Sequence, residues 1–412
     1  RRDHFVARGE ITSLREARPL RCERRDHFVA RGEIAALREI TWITWITQIT
    51  LDHLLFSLLT SHLSLLTSHL SPLASRPLTS HVLMNILVTG GAGFIGSNLT
   101  AHLLEAGHHV KVLDNLSTGR FENVAGFLTH PHFEFVEGSV TKRSLVEELM
   151  AWCDHAYHLA APVGVKYIMD NPVKTVLDNI RGADLMLELA NAHHKRILIA
   201  STSEIYGKSL DLLDATGIRK LAETDYRVEG STRNHRWAYA NTKAMDEFLA
   251  FAYHKEHGTE VVISRFFNTV GPRQLSNYGM VIPNFVKRAL AGEDVVVFGT
   301  GEQRRSFMHV HDALRAITEL MFTGKGVGEE FNVGNPIEIT MNELAHKVIA
   351  KCNSSSKVVH KSYEEVYGPG YEDMNRRTAD ITKLRETLGF ELAYDLDGIL
   401  DDVIAFHRAS VA

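Results

Sequence analysis

From Met84 onward the apolar residues follow two alternating rhythms. Short β-branched runs come as "NILVTG", "HVKVLD", "FEFVEG" (Phe133–Gly138), "HAYHLAA" (His155–Ala161) and "RILIAST" (Arg196–Thr202). Between them lie stretches with apolar residues at helical spacing: "SNLTAHLLEAG", "NPVKTVLDNIRGADLMLELANAHH" and "WAYANTKAMDEFLAFAYHKEHG" (Trp237–Gly258). The first rhythm predicts strands and the second amphipathic helices. Their regular alternation predicts an α/β fold with a parallel sheet wound on both sides.

The first 83 residues break this pattern. "RRDHFVARGEITSLRE" is nearly repeated as "RRDHFVARGEIAALRE", and "TWITWITQIT" and "LLTSHLSLLTSHL" follow. Such short echoes are not a solenoid unit, whose repeats carry core positions. The segment holds no Lys, Met, Asn or Tyr, all of which the rest uses freely, and Met84 is the first methionine. Residues 1–83 are therefore expected to be a non-native-looking or disordered extension, with Met84 as the working start. A transit peptide is poor in acids, whereas this stretch carries Asp3, Glu10, Glu16, Glu23, Asp26, Glu33 and Glu39. The apolar part, Ile40–Leu70, is broken by Asp52, His and many Ser/Thr, so no spanning helix is expected.

Bulk composition narrows the class. With 412 residues, 44% hydrophobic and 23% charged, the chain has room for two domains of an ordinary globular protein. A formal charge of −5 gives no basic field for nucleic acid. Cys22, Cys153 and Cys352 are spaced for neither a disulfide framework nor zinc, so a reducing cytoplasm is the default. The histidine pairs at 108–109 and 193–194, and His309 with His311, read as caps or extended chain; no metal is expected.

Chemistry first enters at "GGAGFIG". Gly90 permits a tight turn, Gly93 lets backbone approach a pyrophosphate, and Gly96 lets the helix pack on the strand. The diphosphate would lie at the positive end of the helix dipole. Asp114 ends the next strand roughly twenty residues later, where a carboxylate accepts from the ribose 2′-hydroxyl and repels a 2′-phosphate. That favours NAD over NADP.

The second centre is Tyr239, four positions before Lys243 and on the same helix face. The lysine cation would favour the phenolate and make Tyr239 a base for a sugar hydroxyl. "LIASTSEIYG" sets Ser201, Thr202, Ser203 and Glu204 at a strand's carboxyl end, the edge where open parallel sheets bind ligands. Arg233 and Arg236, close before Tyr239, are either phosphate contacts or part of a solvated loop.

The glycine turn, Asp114, "HLAA", "STSEIYG", Tyr239 with Lys243, "RFFNTVGPRQ" and "GTGEQRRSFMHVHD" together resemble the extended short-chain dehydrogenase/reductase family, from Met84 to the C-terminus. The resemblance implies a Rossmann-type NAD domain, mainly 84–265, and a smaller C-terminal α/β nucleotide-sugar domain, mainly 266–412, with chain passing between them. It also implies a homodimer, often built from a four-helix bundle. Along the cofactor it places Gly90, Gly93, Phe94, Ile95, Gly96, Asp114, Asn115 and Ala160, reached by Tyr239 and Lys243. Thr202, Ser203, Glu204, Tyr239 and Lys243 take catalytic positions. Asn268, Arg305 and Arg377 take positions on the UDP-sugar. One departure is Ser139, in "EGSV", where many members carry an aspartate that holds the adenine.

Members share one opening step: the base takes the C4 hydroxyl proton while hydride passes to NAD. The 4-keto sugar then turns over and is reduced to a 4-epimer, loses the C6 hydroxyl, or, as a uronate, loses carbon dioxide. Similar dehydratases carry Thr-Asp-Glu where this chain has Thr202-Ser203-Glu204, so dehydration ranks last. "STSE" with "RWAY" and "RRSF" is most similar to UDP-glucuronate decarboxylases; "APVGVKY" and "FNTVGPRQ" also resemble 4-epimerases. An idle NAD-sensing protein of this fold would have lost Tyr239 or Lys243, and both are present.

Overall fold

The computed structural model describes residues 82–161, 171–276, 280–367 and 373–409. The expectation for residues 1–83 thus falls, but for Val82 and Leu83, outside the described residues.

Seven strands form one wholly parallel sheet: β1 (Asn85–Thr89), β2 (His109–Asp114), β3 (Phe133–Glu137), β4 (His155–His158), β5 (Arg196–Thr202), β6 (Val261–Phe266) and β7 (Glu329–Val333). Their spatial order is β7-β6-β5-β4-β1-β2-β3. The chain leaves β1 toward β2 but leaves β4 toward β5, so the order reverses between β1 and β4. A crevice opens at the carboxyl ends of strands at such a point.

Among the described residues, eight longer helices cover the sheet and the second layer: α1 (Phe94–Glu105), α2 (Arg143–Trp152), α3 (Pro172–Ala192), α4 (Ala238–His257), α5 (Val281–Leu290), α6 (Val310–Thr323), α7 (Met341–Cys352) and α8 (Leu396–Ala409). Successive strand residues point to opposite faces. Ile86 and Val88 accordingly join Leu99 and Leu103 of α1 and Leu314 and Ile317 of α6 in one core. Leu87 joins Val146 of α2, Met186 of α3 and Ala250 of α4 in the other. Both faces are therefore buried, which is why these strands read as continuous apolar runs.

A third core holds the C-terminal layer. Phe285 and Val286 of α5, Leu344 and Val348 of α7 and Leu400 and Val403 of α8 pack there with Val295 and Val297. The strand containing the latter two, Val295–Phe298, pairs in parallel with Val358–Lys361. Arg304–Ser306 lies between Glu338–Thr340 and Arg376–Arg377. The two halves interleave: β7 comes from beyond residue 266 yet pairs with β6 in the main sheet. Among the described residues, no helix is long and apolar enough to cross a membrane.

Candidate active site

A cavity of about 470 Å³ opens at the β1/β4 reversal. Its phosphate-facing wall is the turn after β1. Gly90 has φ +73°, and a Cβ there would stand 2.7 Å from the Ala160 amide nitrogen at the end of β4. A Cβ on Gly96 would fall 2.2 Å from the Gly90 carbonyl oxygen. Only glycine lets α1 start this close to the strand, with Gly93 as its N-cap and no side-chain cap. The amides at that end face the cavity mouth.

Asp114 marks the next position along the sheet edge. Its Oδ2 accepts from the Ala92 amide at 3.0 Å and its Oδ1 from the Leu116 amide at 2.8 Å. Burial pushes its carboxyl upward while these two amides hold it down. The two bonds fix the carboxylate and leave lone pairs free on each oxygen.

Tyr239 and Lys243 sit on the first turns of α4, both lining the cavity. Here the structure corrects the expectation that lysine lowers the phenol. Lys243 Nζ is 3.0 Å from Asp246 Oδ2, and both side chains are buried. Burial, reinforced by the Asp246 charge, pushes the Tyr239 phenol well above its ordinary value. The cation is largely neutralised by its own partner one turn along, so desolvation dominates. Thr202 ends β5, and its hydroxyl accepts from the Glu204 amide at 3.2 Å, capping the short 3₁₀ turn Ser203–Tyr206. Its own proton remains available to a ligand.

Glu204 is gripped from both sides. One carboxylate oxygen pairs with Arg377, and the other lies 2.5 Å from Arg236 Nη1. Arg377 also donates to Asn268 Oδ1 at 2.7 Å, and Asn268 donates to the Ser306 carbonyl at 2.8 Å. Arg236 Nη2 lies 3.7 Å from Asp373, which also meets Arg305 at 3.1 Å. Burial draws the Arg377 guanidinium down to about 10, still cationic at neutral pH. Three guanidiniums face two carboxylates, so the cluster keeps one positive charge.

Beneath the site a buried polar network ties β5 to α4. Ser201 donates to Glu247 at 2.5 Å, and Arg265 of β6 grips Glu247 through Nε and Nη2 at 2.9 and 2.7 Å. Arg265 also donates to Tyr206 at 2.9 Å, and Tyr206 to Asn332 at 2.7 Å. The strand end bearing Thr202 and the helix bearing Tyr239 are thereby fixed to each other. On the neighbouring strand, His158 meets Thr89 Oγ1 at 2.8 Å. Its burial lowers it to about 3, so it stays neutral beside Lys243.

The cavity gathers Gly90, Gly93, Phe94, Ile95, Gly96, Asp114, Asn115 and Ala160 with Thr202, Ser203, Glu204, Tyr239, Lys243, Asn268 and Arg377. Arg305 is not among its lining residues. Its guanidinium is taken up by the carbonyls of Arg304, Met374 and Asn375 and by Asp373. It braces the segment that carries Arg377. Arg236, left open between ligand contact and solvated loop, is 5% exposed and lines the cavity. Its signal was its place three residues before Tyr239, on the face that enters α4. Ser139 and Thr141 also line the cavity, beyond Asp114.

The sequence profile described as GDP-mannose 4,6 dehydratase matches residues 87–403. A UDP-N-acetyl-alpha-D-glucosaminuronate decarboxylase of Bacillus cytotoxicus is 36% identical over 326 residues, 78% of this chain and 97% of that protein. UDP-glucuronic acid decarboxylase 3 of Arabidopsis thaliana is 40% identical over 309 residues, 75% of this chain and 84% of that protein. Among solved structures, a Thermus thermophilus UDP-glucose 4-epimerase in complex with NAD superimposes with a TM-score of 0.68 at 27% identity. It covers 79% of this chain and 100% of that one.

Proposed function

This chain belongs to the GDP-mannose 4,6 dehydratase family of extended short-chain dehydrogenase/reductases, and within it we propose that the protein is an NAD-dependent UDP-glucuronate decarboxylase. The observation that carries the reading is Glu204 between Arg236 and Arg377, in the cavity that Tyr239 also lines. The surplus positive charge of that cluster suits a sugar with a carboxylate at C6.

The cradle at Gly90, Gly93 and Gly96 with Asp114 fits a dinucleotide, since a Cβ at Gly96 would fill the space the backbone needs. Bound there, the dinucleotide would take a hydride from C4 and later return it. Tyr239, whose phenol burial raises, would need the positive charge of a bound nicotinamide beside it to serve as base; with that charge in place it takes the C4 hydroxyl proton, and Thr202 shares the hydrogen bond. With a ketone at C4, the C6 carboxylate stands β to it. The C5–C6 bond breaks, carbon dioxide leaves, and its electron pair enters the C4–C5 enolate. A proton from solvent then closes C5, and once hydride is back at C4 Tyr239 returns its proton to the C4 oxygen. Asn268 holds the diphosphate side of the sugar, while Arg377 and Arg236, which share Glu204, face its C6 carboxylate. Ser203 offers no acid to expel a C6 hydroxyl, which disfavours 4,6-dehydration.

The 4-epimerase remains the second reading, favoured by the fold likeness to a UDP-glucose 4-epimerase. Incubation with UDP-glucuronate, followed by mass spectrometry and proton NMR, separates the two. A UDP-pentose supports decarboxylation; unchanged mass with inverted C4 supports epimerisation. The 2-acetamido uronate belongs in the same test, because the Bacillus relative is named for it.

The assembly we propose is a homodimer through α3 and α4. Val173 and Leu177 on α3, with Met245 and Phe248 on α4, are exposed apolar residues at helical spacing. Phe248→Glu should yield monomers by light scattering; an unchanged dimer would contradict this surface. Buried free thiols at Cys153 and Cys352 suit a cytoplasmic setting.

A further inference from the structure

We propose that the base of the dinucleotide is read by a neutral hydroxyl pair, Ser139 and Thr141, so that the purine 6-position is only weakly discriminated. The inference rests on the NAD reading above.

The sheet edge gives the order of the subsites. The glycine cradle follows β1, Asp114 ends β2, and the segment Gly138–Thr141 follows β3, the next strand out. The Gly138 amide donates to the Asp114 carbonyl at 3.0 Å, which brings that segment against the ribose carboxylate. A dinucleotide running from Gly93 past Asp114 therefore delivers its base to Ser139, Val140 and Thr141, all of which line the cavity.

The groups found there are uncharged. Ser139 Oγ and Thr141 Oγ1 lie 2.8 Å apart, and the Thr141 amide donates to Ser139 Oγ at 3.2 Å. The Lys142 amide bonds the Ser139 carbonyl at 3.0 Å and fixes the turn. Of the three carboxylates lining the cavity, Asp114 is held by two amides, Asp178 is paired with Lys174, and Glu204 is paired with Arg236 and Arg377. An ionised carboxylate at this position could only accept, and so would demand the 6-amino group of adenine. Hydroxyls both donate and accept, and the couple can reverse its direction to meet a 6-amino or a 6-oxo group. The departure at Ser139 thus replaces a one-way reader with a two-way one.

The test is competitive loading of the full chain. Protein is equilibrated with equal NAD and nicotinamide hypoxanthine dinucleotide, washed and denatured, and the released dinucleotides are measured by mass spectrometry. The wild type should retain the two within about threefold of each other, and Ser139→Asp should shift the ratio toward NAD by about tenfold or more. Ser139→Asn, neutral with both donor and acceptor, should stay near the wild-type ratio. A wild type that already excludes the hypoxanthine form by more than about tenfold, or a Ser139→Asp ratio that does not move, would overturn the inference. Retention of neither dinucleotide would instead overturn the cofactor reading itself, and this inference with it.

Discussion

Arg377 stands 173 positions beyond Glu204 in the chain, yet the two side chains form an ion pair in the wall of the cavity. The pair joins the turn after β5 to a two-residue strand of the C-terminal layer. Arg236 closes on the same carboxylate from the turn before α4. Three separate chain segments thus meet at one acid.

If this cluster receives the sugar carboxylate, its loss should be selective. Arg377→Met should raise KM for UDP-glucuronate by about 10- to 100-fold, the worth of a charge-assisted hydrogen bond. Binding of neutral UDP-glucose should fall much less. Arg377→Lys should recover only part of the loss, since the guanidinium contacts Glu204 and Asn268 together. Equal losses for both ligands would contradict a carboxylate role.

Tyr239→Phe should lower kcat by about 10²- to 10⁴-fold while leaving the dinucleotide bound. Asp246→Asn probes the same phenol from a distance. Burial and then Asp246 raise Tyr239, so removing that charge lowers the phenol. Activity requires the deprotonated base and fails as pH falls below its pKa. The acid limb of the kcat/KM profile should therefore move to lower pH in Asp246→Asn; an upward shift or an unmoved limb would count against Tyr239 as the base.

Gly96→Ala should empty the dinucleotide site. Its Cβ would meet the Gly90 carbonyl at 2.2 Å and Gly91 Cα at 2.7 Å, both backbone atoms that cannot swing aside. Overpacking of this kind costs about 1–3 kcal/mol. Bound dinucleotide, read by absorbance after denaturation, should be lost, and Tm should drop.

Acid should destabilise the sheet through β4. Burial lowers His155 to about 4 and His158 to about 3, both below the ordinary histidine value of 6.5. The unfolded chain binds these protons first, so the stabilisation is complete above pH 6.5 and is lost as pH falls toward 4 and then 3. Each histidine adds a slope of about 1.4 kcal/mol per pH unit within its window. Urea unfolding between pH 7 and 4 should show the decline, and His155→Gln should make it shallower.

The parts legible in the sequence were those fixed by local pattern. β5 spans Arg196–Thr202 as its β-branched run predicts, and β2 ends at Asp114. α4 begins one residue later than expected because His235–Trp237 forms a separate 3₁₀ turn, which turns Arg236 toward Glu204. What local pattern does not carry is pairing across the chain. "EEFNV" is too polar at its start to announce a central-sheet strand, yet Glu329–Val333 pairs with β6. Arg305 and Arg377 look alike in sequence and are even register partners on adjacent short strands. Backbone carbonyls of residues 374 and 375 take the first, while the second reaches the cavity. The counter-charge of Lys243 was likewise hidden, although Asp246 lies only three residues on.

The most direct measurement follows the carbon that decarboxylation removes. UDP-glucuronate labelled with carbon-13 at C6 is incubated with the protein and NAD, and both label and sugar product are tracked by NMR. Label appearing as carbon dioxide and bicarbonate, in step with an unlabelled UDP-pentose, is the expected result. Label retained in a hexuronate, with or without inversion at C4, would contradict decarboxylation.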